Sequence, residues 1–338
     1  MRMLWILILL LSTTFFILSN QTENNDFYDN TPAVELKGPG VIVSGEISNP
    51  GKVDLTRLKL RSLLVREAIF RESRTVFIGS YRYDGYSLFD ILKERYVDKS
   101  NKDEFGSVID MLVVVENDRG EKAVFSWGEI YYPSTLHRII LATRVSRIIP
   151  SKTGEKWPLP TSTRLVCAND LLSERNLERP TKITVMSCPL SFSGSKSGRK
   201  PLSDRIKLVL NGKTVLEITN LDNQLAERTY PSVFYGRGRG FHGIQNFSGK
   251  TLQSLLKSQF PFNRKNIRRT YFAVSASDGY RIVISFSELF NRNDQSDFLI
   301  IDSGKNSKKG RFRLFPTPDF FSDRAIYTID AIHFLAVE

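Results

Sequence analysis

Residues 111–131 read MLVVVENDRGEKAVFSWGEIY, and residues 271–291 read YFAVSASDGYRIVISFSELFN. Each is a β-branched apolar run, a polar turn and a second apolar run that ends near an acidic residue. Asp118-Arg119-Gly120 and Asp278-Gly279 supply the turns, where glycine adopts positive φ without a Cβ clash. Both stretches therefore read as β-hairpins, and Glu129 matches Glu288 across a single-residue indel.

The correspondence extends outward in both directions. GYSLFDILK (85–93) matches GKTLQSLLK (249–257), each with apolar residues at i, i+3 and i+4 behind a glycine, the mark of a short amphipathic helix. RLVCANDLLS (164–173) matches RLFPTPDFFS (313–322), and KITVMS (182–187) matches AIHFLA (331–336). Further upstream TVFIG (75–79) is set against SVFYG (232–236), and VDLTRL (53–58) against LEITNL (216–221). Matches in one order identify two homologous modules, 38–190 and 204–338, joined by a Ser/Gly/Lys-rich linker at 191–203. Strand-forming runs dominate, and each module has one periodic helix. The predicted class is α+β: two tandem β-rich mixed modules, without the regular helix crossovers of a doubly wound sheet.

A chain of 338 residues with 41% hydrophobic content can build a core for each module. Arg2 followed by an apolar run from Met3 to about Leu18 gives residues 1–20 the form of a signal sequence or N-terminal anchor, with 21–37 as a linker. The expected location is extracytoplasmic, periplasmic or cell envelope, either secreted or membrane-associated through the N-terminus. Two cysteines, Cys167 and Cys188, suit one disulfide in an exported chain, with two buried free thiols as the other reading. His137, His242 and His333 have no metal-ligand spacing, and no metal site is expected. A net charge of +12, from 48 basic and 36 acidic residues, favours an anionic ligand or protein partner. The basic residues are dispersed, so nucleic acid is not expected.

The order of elements resembles the molybdopterin-binding domain of the sulfite-oxidase type. In the second module the resemblance rests on FSGKTLQSLL (247–256), SASDGYRIVISFSEL (275–289) and RFRLFPTPDFF (311–321). In the first it rests on DGYSLFDIL (84–92), NDRGEKAVFSWGEI (117–130) and TRLVCANDLL (163–172). It implies a pterin whose molybdenum is held by a cysteine from the loop before the "x-G-x-x-L" turn. Those loops here are GSYRYDGY (79–86) and GRGRGFHGIQNFSG (236–249), and neither contains cysteine. The expected function is thus an exported or anchored binding or interaction protein on a duplicated scaffold, with no cofactor. The alternative is a molybdopterin-dependent oxidoreductase with a cysteine-free metal site.

YGRGRGFHG (235–243) matches G-x-G-x-x-G at Gly238, Gly240 and Gly243. IQNFSG separates the third glycine from the predicted helix, and no acidic residue follows at about 20 positions to hold a ribose, which excludes a dinucleotide fingerprint. Arg237, Arg239 and His242, with Tyr235, remain candidates for anion or cofactor contact, because guanidinium groups and glycine N–H groups clamp anions. Tyr81 and Arg82 are their candidates in the first module. Arg164 with Asp170, and Arg313 with Asp319, recur at equal spacing and are expected to serve as structural salt bridges or turn caps. Glu129 and Glu288 are expected to cap. No G-x-S-x-G, Walker or H-E-x-x-H motif is present, so no catalytic residue is assigned.

Overall fold

The computed structural model describes residues 29–72, 74–192, 202–238 and 240–338. The signal or anchor segment, most of the 191–203 linker and Arg239 lie outside the described residues. The first half carries strands β1 (Asp29–Asn30), β2 (Val34–Glu35), β3 (Ile42–Gly45), β4 (Gly51–Lys52), β5 (Arg61–Arg71), β6 (Arg74–Ser87), β7 (Met111–Asn117), β8 (Lys122–Ser126), β9 (Ile139–Ile149), β10 (Arg164–Cys167) and β11 (Pro180–Ser187). The second half carries β12 (Ile206–Leu210), β13 (Lys213–Ile218), β14 (Glu227–Gly236), β15 (Gly240–Thr251), β16 (Thr270–Ala276), β17 (Arg281–Ser285), β18 (Phe298–Asp302), β19 (Phe312–Pro316) and β20 (Ile329–Ala336).

These strands form four small sheets arranged as a four-bladed β-propeller. Two five-stranded sheets share one pattern, β4-β3-β11-β7-β8 and β13-β12-β20-β16-β17, each with one parallel pair, β3 with β11 or β12 with β20. The other two are built on β5-β6-β9-β10 and on β14-β15-β18-β19, with β1 and β2 also paired to β9. Each half therefore weaves its chain between two blades instead of completing one blade before starting the next.

The α+β, sulfite-oxidase-type expectation is overturned. The chain is mostly β, 47% strand against 13% helix. The expected helices exist, as Leu88–Lys93 and Leu252–Leu256, but one to two turns cannot form a layer over a sheet. Molybdopterin binding and oxidoreductase chemistry, which came only with that resemblance, have no support. The match of TVFIG to SVFYG is also corrected: TVFIG lies on β6, the second strand of its hairpin, and SVFYG on β14, the first strand of its own. GSYRYDGY is the interior of β6, and residues 240–249 of GRGRGFHGIQNFSG lie on β15, so neither stretch has the form of the long loop that the resemblance implies.

Burial explains why β7 and β16 read as unbroken apolar runs. Met111, Val113 and Val115 face the main core, while Leu112 and Val114 pack with Val124 against Tyr271, Ala273 and Val283 of the other half. With both faces covered, no polar alternation is required. Cys188 belongs to this inter-sheet layer and Cys167 to the main core, and both are buried free thiols, so the disulfide alternative gives way to the other reading.

Between the halves lies a buried ionic cluster. Arg175 donates to both oxygens of Asp170 (2.7 and 2.8 Å) and to both of Glu129 (3.0 Å each). Arg324 repeats this with Asp319 (2.5 and 2.7 Å) and Glu288 (2.7 Å). Asp170 and Asp319 thus take arginines five residues downstream, in place of the expected Arg164 and Arg313. Glu129 and Glu288 close capping boxes with Ser126 and Ser285 on the one-turn helices Trp127–Tyr131 and Phe286–Phe290. Ser126 Oγ also donates to Glu288 at 2.7 Å, linking the two boxes.

Candidate functional site

Strand register aligns the halves residue by residue. Tyr83 and Phe247 each stand four residues before the end of β6 or β15, and they oppose Leu63 and Tyr230. Four residues further along β5 and β14 lie Glu67 and Phe234, each followed at once by a register shift. Arg164 opposes Ala142 and Arg313 opposes Ile301, which places the two arginines at one position in their respective sheets.

The two arginines stand in opposite electrostatic settings. Arg164 Nη1 lies 3.6 Å from the Glu67 carboxylate and 3.4 Å from the Tyr83 hydroxyl. Tyr83 and Asn176 each donate to Glu67 at 2.9 Å, so the first half closes a self-neutralised network. In the second half the acid is Phe234 and the tyrosine is Phe247. The Arg313 guanidinium stands over aromatic rings, 5.7 Å from Phe234, 5.2 Å from Phe247 and 4.5 Å from Tyr327. Among the described residues no carboxylate pairs with it. Nε lacks an acceptor in both arginines, so what separates them is the missing counter-charge.

The proton affinities carry the same contrast. Burial lowers the pKa of Arg313, with only the Tyr327 phenol opposing. Burial acts on Arg164 too, but Glu67, Tyr83 and Glu178 lift it above the ordinary value. A guanidinium remains charged in either case.

Arg313 lines an open cleft of about 290 Å³ with His242, Gln245, Ser303, Ser307 and Lys309. The first half fills the matching space. Tyr81, at the position of Gln245, is buried and donates to the Pro158 carbonyl at 2.7 Å, and Trp157 packs edge-on against Phe77. Trp157 and Pro158 belong to the connector 150–163 between β9 and β10; its counterpart 303–311, between β18 and β19, is shorter and instead presents two serines and a lysine.

Of the expected site residues that are described, only His242 lines this cleft, its ring 5.5 Å from Phe234, and Arg239 lies outside the described residues. Arg237 is engaged at the junction of the halves, its N–H on the Asp323 carboxylate at 3.4 Å and its side chain on Tyr132. Tyr235 packs against Phe320 and Phe321, 5.8 and 6.1 Å away. Tyr81 is core, and Arg82 pairs with Asp84 at 3.6 Å. Arg313 and Lys309, which line the cleft, were not among the expected contact residues. The signal for Arg313 was its recurrence with Arg164, but the substitution of Phe234 for Glu67 shows only once the hairpins are in correct register.

Ser87, Asp90 and His137 converge, yet Ser87 Oγ (3.0 Å) and the Asp90 carboxylate (3.5 Å) both meet Nδ1, so the ring cannot relay a proton between them. Among the described residues no three His, Cys, Asp or Glu side chains are grouped to hold a metal ion. No protein-family model matches the chain, and no curated protein matches it.

Proposed function

We propose that the protein binds a small anionic ligand, one bearing a phosphate, sulfate or carboxylate group, in the cleft beneath Arg313. The observation that carries the reading is the internal comparison: one position in two equivalent sheets holds a neutralised arginine in one half and an arginine without a carboxylate, at an open cleft, in the other. Lys309 adds a second cation, and Ser303, Ser307 and Gln245 offer the neutral donors that fix an oxyanion's orientation. The apolar run at residues 3–18 supports placing this binding protein outside the cytoplasm.

The test uses the first half as the template. Titration calorimetry with inorganic phosphate and with sulfate should give one site whose affinity weakens with added salt. Arg313→Gln should weaken it at least tenfold. Phe234→Glu, which supplies the carboxylate that Arg164 already has, should do the same while leaving the arginine in place. Unchanged affinity in both variants, or no binding by the wild-type chain, rejects the reading.

A further inference from the structure

The anion cleft does not stand alone. A second cleft, of about 650 Å³, shares Lys309 and Tyr327 with it as a common wall. The Tyr327 ring is contacted by both cations, Arg313 at 4.5 Å and Lys309 at 5.1 Å from its centre, so it marks the boundary between the two spaces. On the anion side the lining is cationic and hydroxyl-rich. On the far side Leu202 (50% exposed) and Tyr327 (43% exposed) leave large hydrophobic groups open to water beside the buried Ala276, Ala325 and Ile326, and Asp278, Tyr280, Lys308, Ser322 and Thr328 complete the lining. Gly310, at φ +91, presses so closely on Thr328 that an added Cβ would lie 2.4 Å from its side chain. That contact fixes the connector carrying Lys309 against the wall of the second cleft.

We propose that the ligand is an amphipathic acid: its anionic group lies beneath Arg313 and Lys309, and its unbranched apolar body crosses Tyr327 into the larger cleft. This rests on the anion-binding reading and adds the chemistry of the rest of the molecule. The exposed side chains of Leu202 and Tyr327 beside the Arg313 and Lys309 cations fit such a ligand, because burying them removes apolar area from water while the cations hold its head. A free polar anion would leave Leu202 and Tyr327 uncovered.

A homologous series of probes separates the two readings: inorganic phosphate, then ethyl, butyl, hexyl and octyl phosphate, each below its micelle concentration. Titration calorimetry of the full chain should give one site per molecule, tightening by up to about fourfold for each methylene that is buried. Leu202→Asn, an exposed change that adds no charge, should flatten that dependence and leave the affinity for inorganic phosphate unaltered. Phosphate binding without chain-length dependence overturns the amphipathic ligand and leaves the anion site standing. Length dependence that survives Leu202→Asn unchanged, or several bound molecules per chain, also overturns it. Failure of every probe to bind removes both readings.

Discussion

Arg175 and Arg324 show what a fully buried guanidinium requires in this molecule: two carboxylates each, held by direct bonds. The cluster then holds two arginines against Asp170, Glu129, Asp319 and Glu288, an excess of acid. Burial accordingly raises Asp319 to about 6 despite the bidentate pairing with Arg324, and burial raises Glu129 as well. The sign follows from linkage. An acid whose folded pKa exceeds its unfolded value binds a proton on folding, so this group's contribution to stability grows as pH falls from about 6 and is lost as pH rises through it. Asp319→Asn should change stability at pH 7 by less than about 1.5 kcal/mol, one hydrogen bond's worth, and should abolish that residue's share of the pH slope. Arg324→Met, leaving two buried acids unpaired, should destabilise by about 3–5 kcal/mol. Urea unfolding of both variants and wild type at pH 5 and 7 decides; a large loss in Asp319→Asn with the slope intact contradicts the account. The sequence held part of this, since SER at 173–175 and SDR at 322–324 continue the repeat that carries Asp170 and Asp319. Equal spacing suggested Arg164 and Arg313 as partners, but those side chains meet Glu67 and Tyr83, or Phe234 and Phe247, on other strands of their own sheets.

At the scale of elements, the one-turn helices after β8 and β17 carry the interface. Their capping boxes place Glu129 and Glu288 inward, and Gly128, on the first of them, lets Arg324 approach: a Cβ there would lie 2.3–2.6 Å from three guanidinium atoms. Alanine is the better helix former by about 1 kcal/mol. Gly128→Ala should nevertheless destabilise, by about 2–4 kcal/mol, because the displaced group is a buried charge with no other carboxylate to take. A stabilised variant, read by thermal denaturation, would show that Arg324 can relocate. The Asp-Gly and Asp-Arg-Gly turns and the strands beside them were legible because glycine at positive φ is a local requirement, met at Gly120 and Gly279. The hairpin of β14 and β15 was not. Its glycines, Gly240 and Gly243, take positive φ within the second strand, so a paired segment has the composition of a loop. That misreading set SVFYG against the wrong strand and hid the exchange of Glu67 for Phe234.

For the molecule as a whole, the fold class was misjudged because short periodic helices were given the weight of a layer, whereas the strands around them close four sheets. What unites the sheets is reciprocal. Leu171 N–H donates to the Asn291 carbonyl at 2.6 Å and the Asn291 side chain brackets Leu172, while Phe320 N–H donates to the Tyr132 carbonyl at 2.7 Å. Each half thus inserts the loop before its cluster arginine into the end of the other half's capped helix. With Leu112 and Val114 packed against Tyr271 and Ala273 over the same junction, neither half can open without exposing apolar area and the ionic cluster together. The halves should therefore melt as one cooperative unit, with calorimetric and van't Hoff enthalpies equal. Because the cleft proposed to take an anion lies in the second half alone, a saturating ligand should raise the midpoint of that single transition, by an amount set by the ratio of ligand concentration to Kd. Two transitions, of which the ligand moves only one, would show instead that the sequence repeat is also a boundary of stability and that the clasp contributes less than the packing within each half.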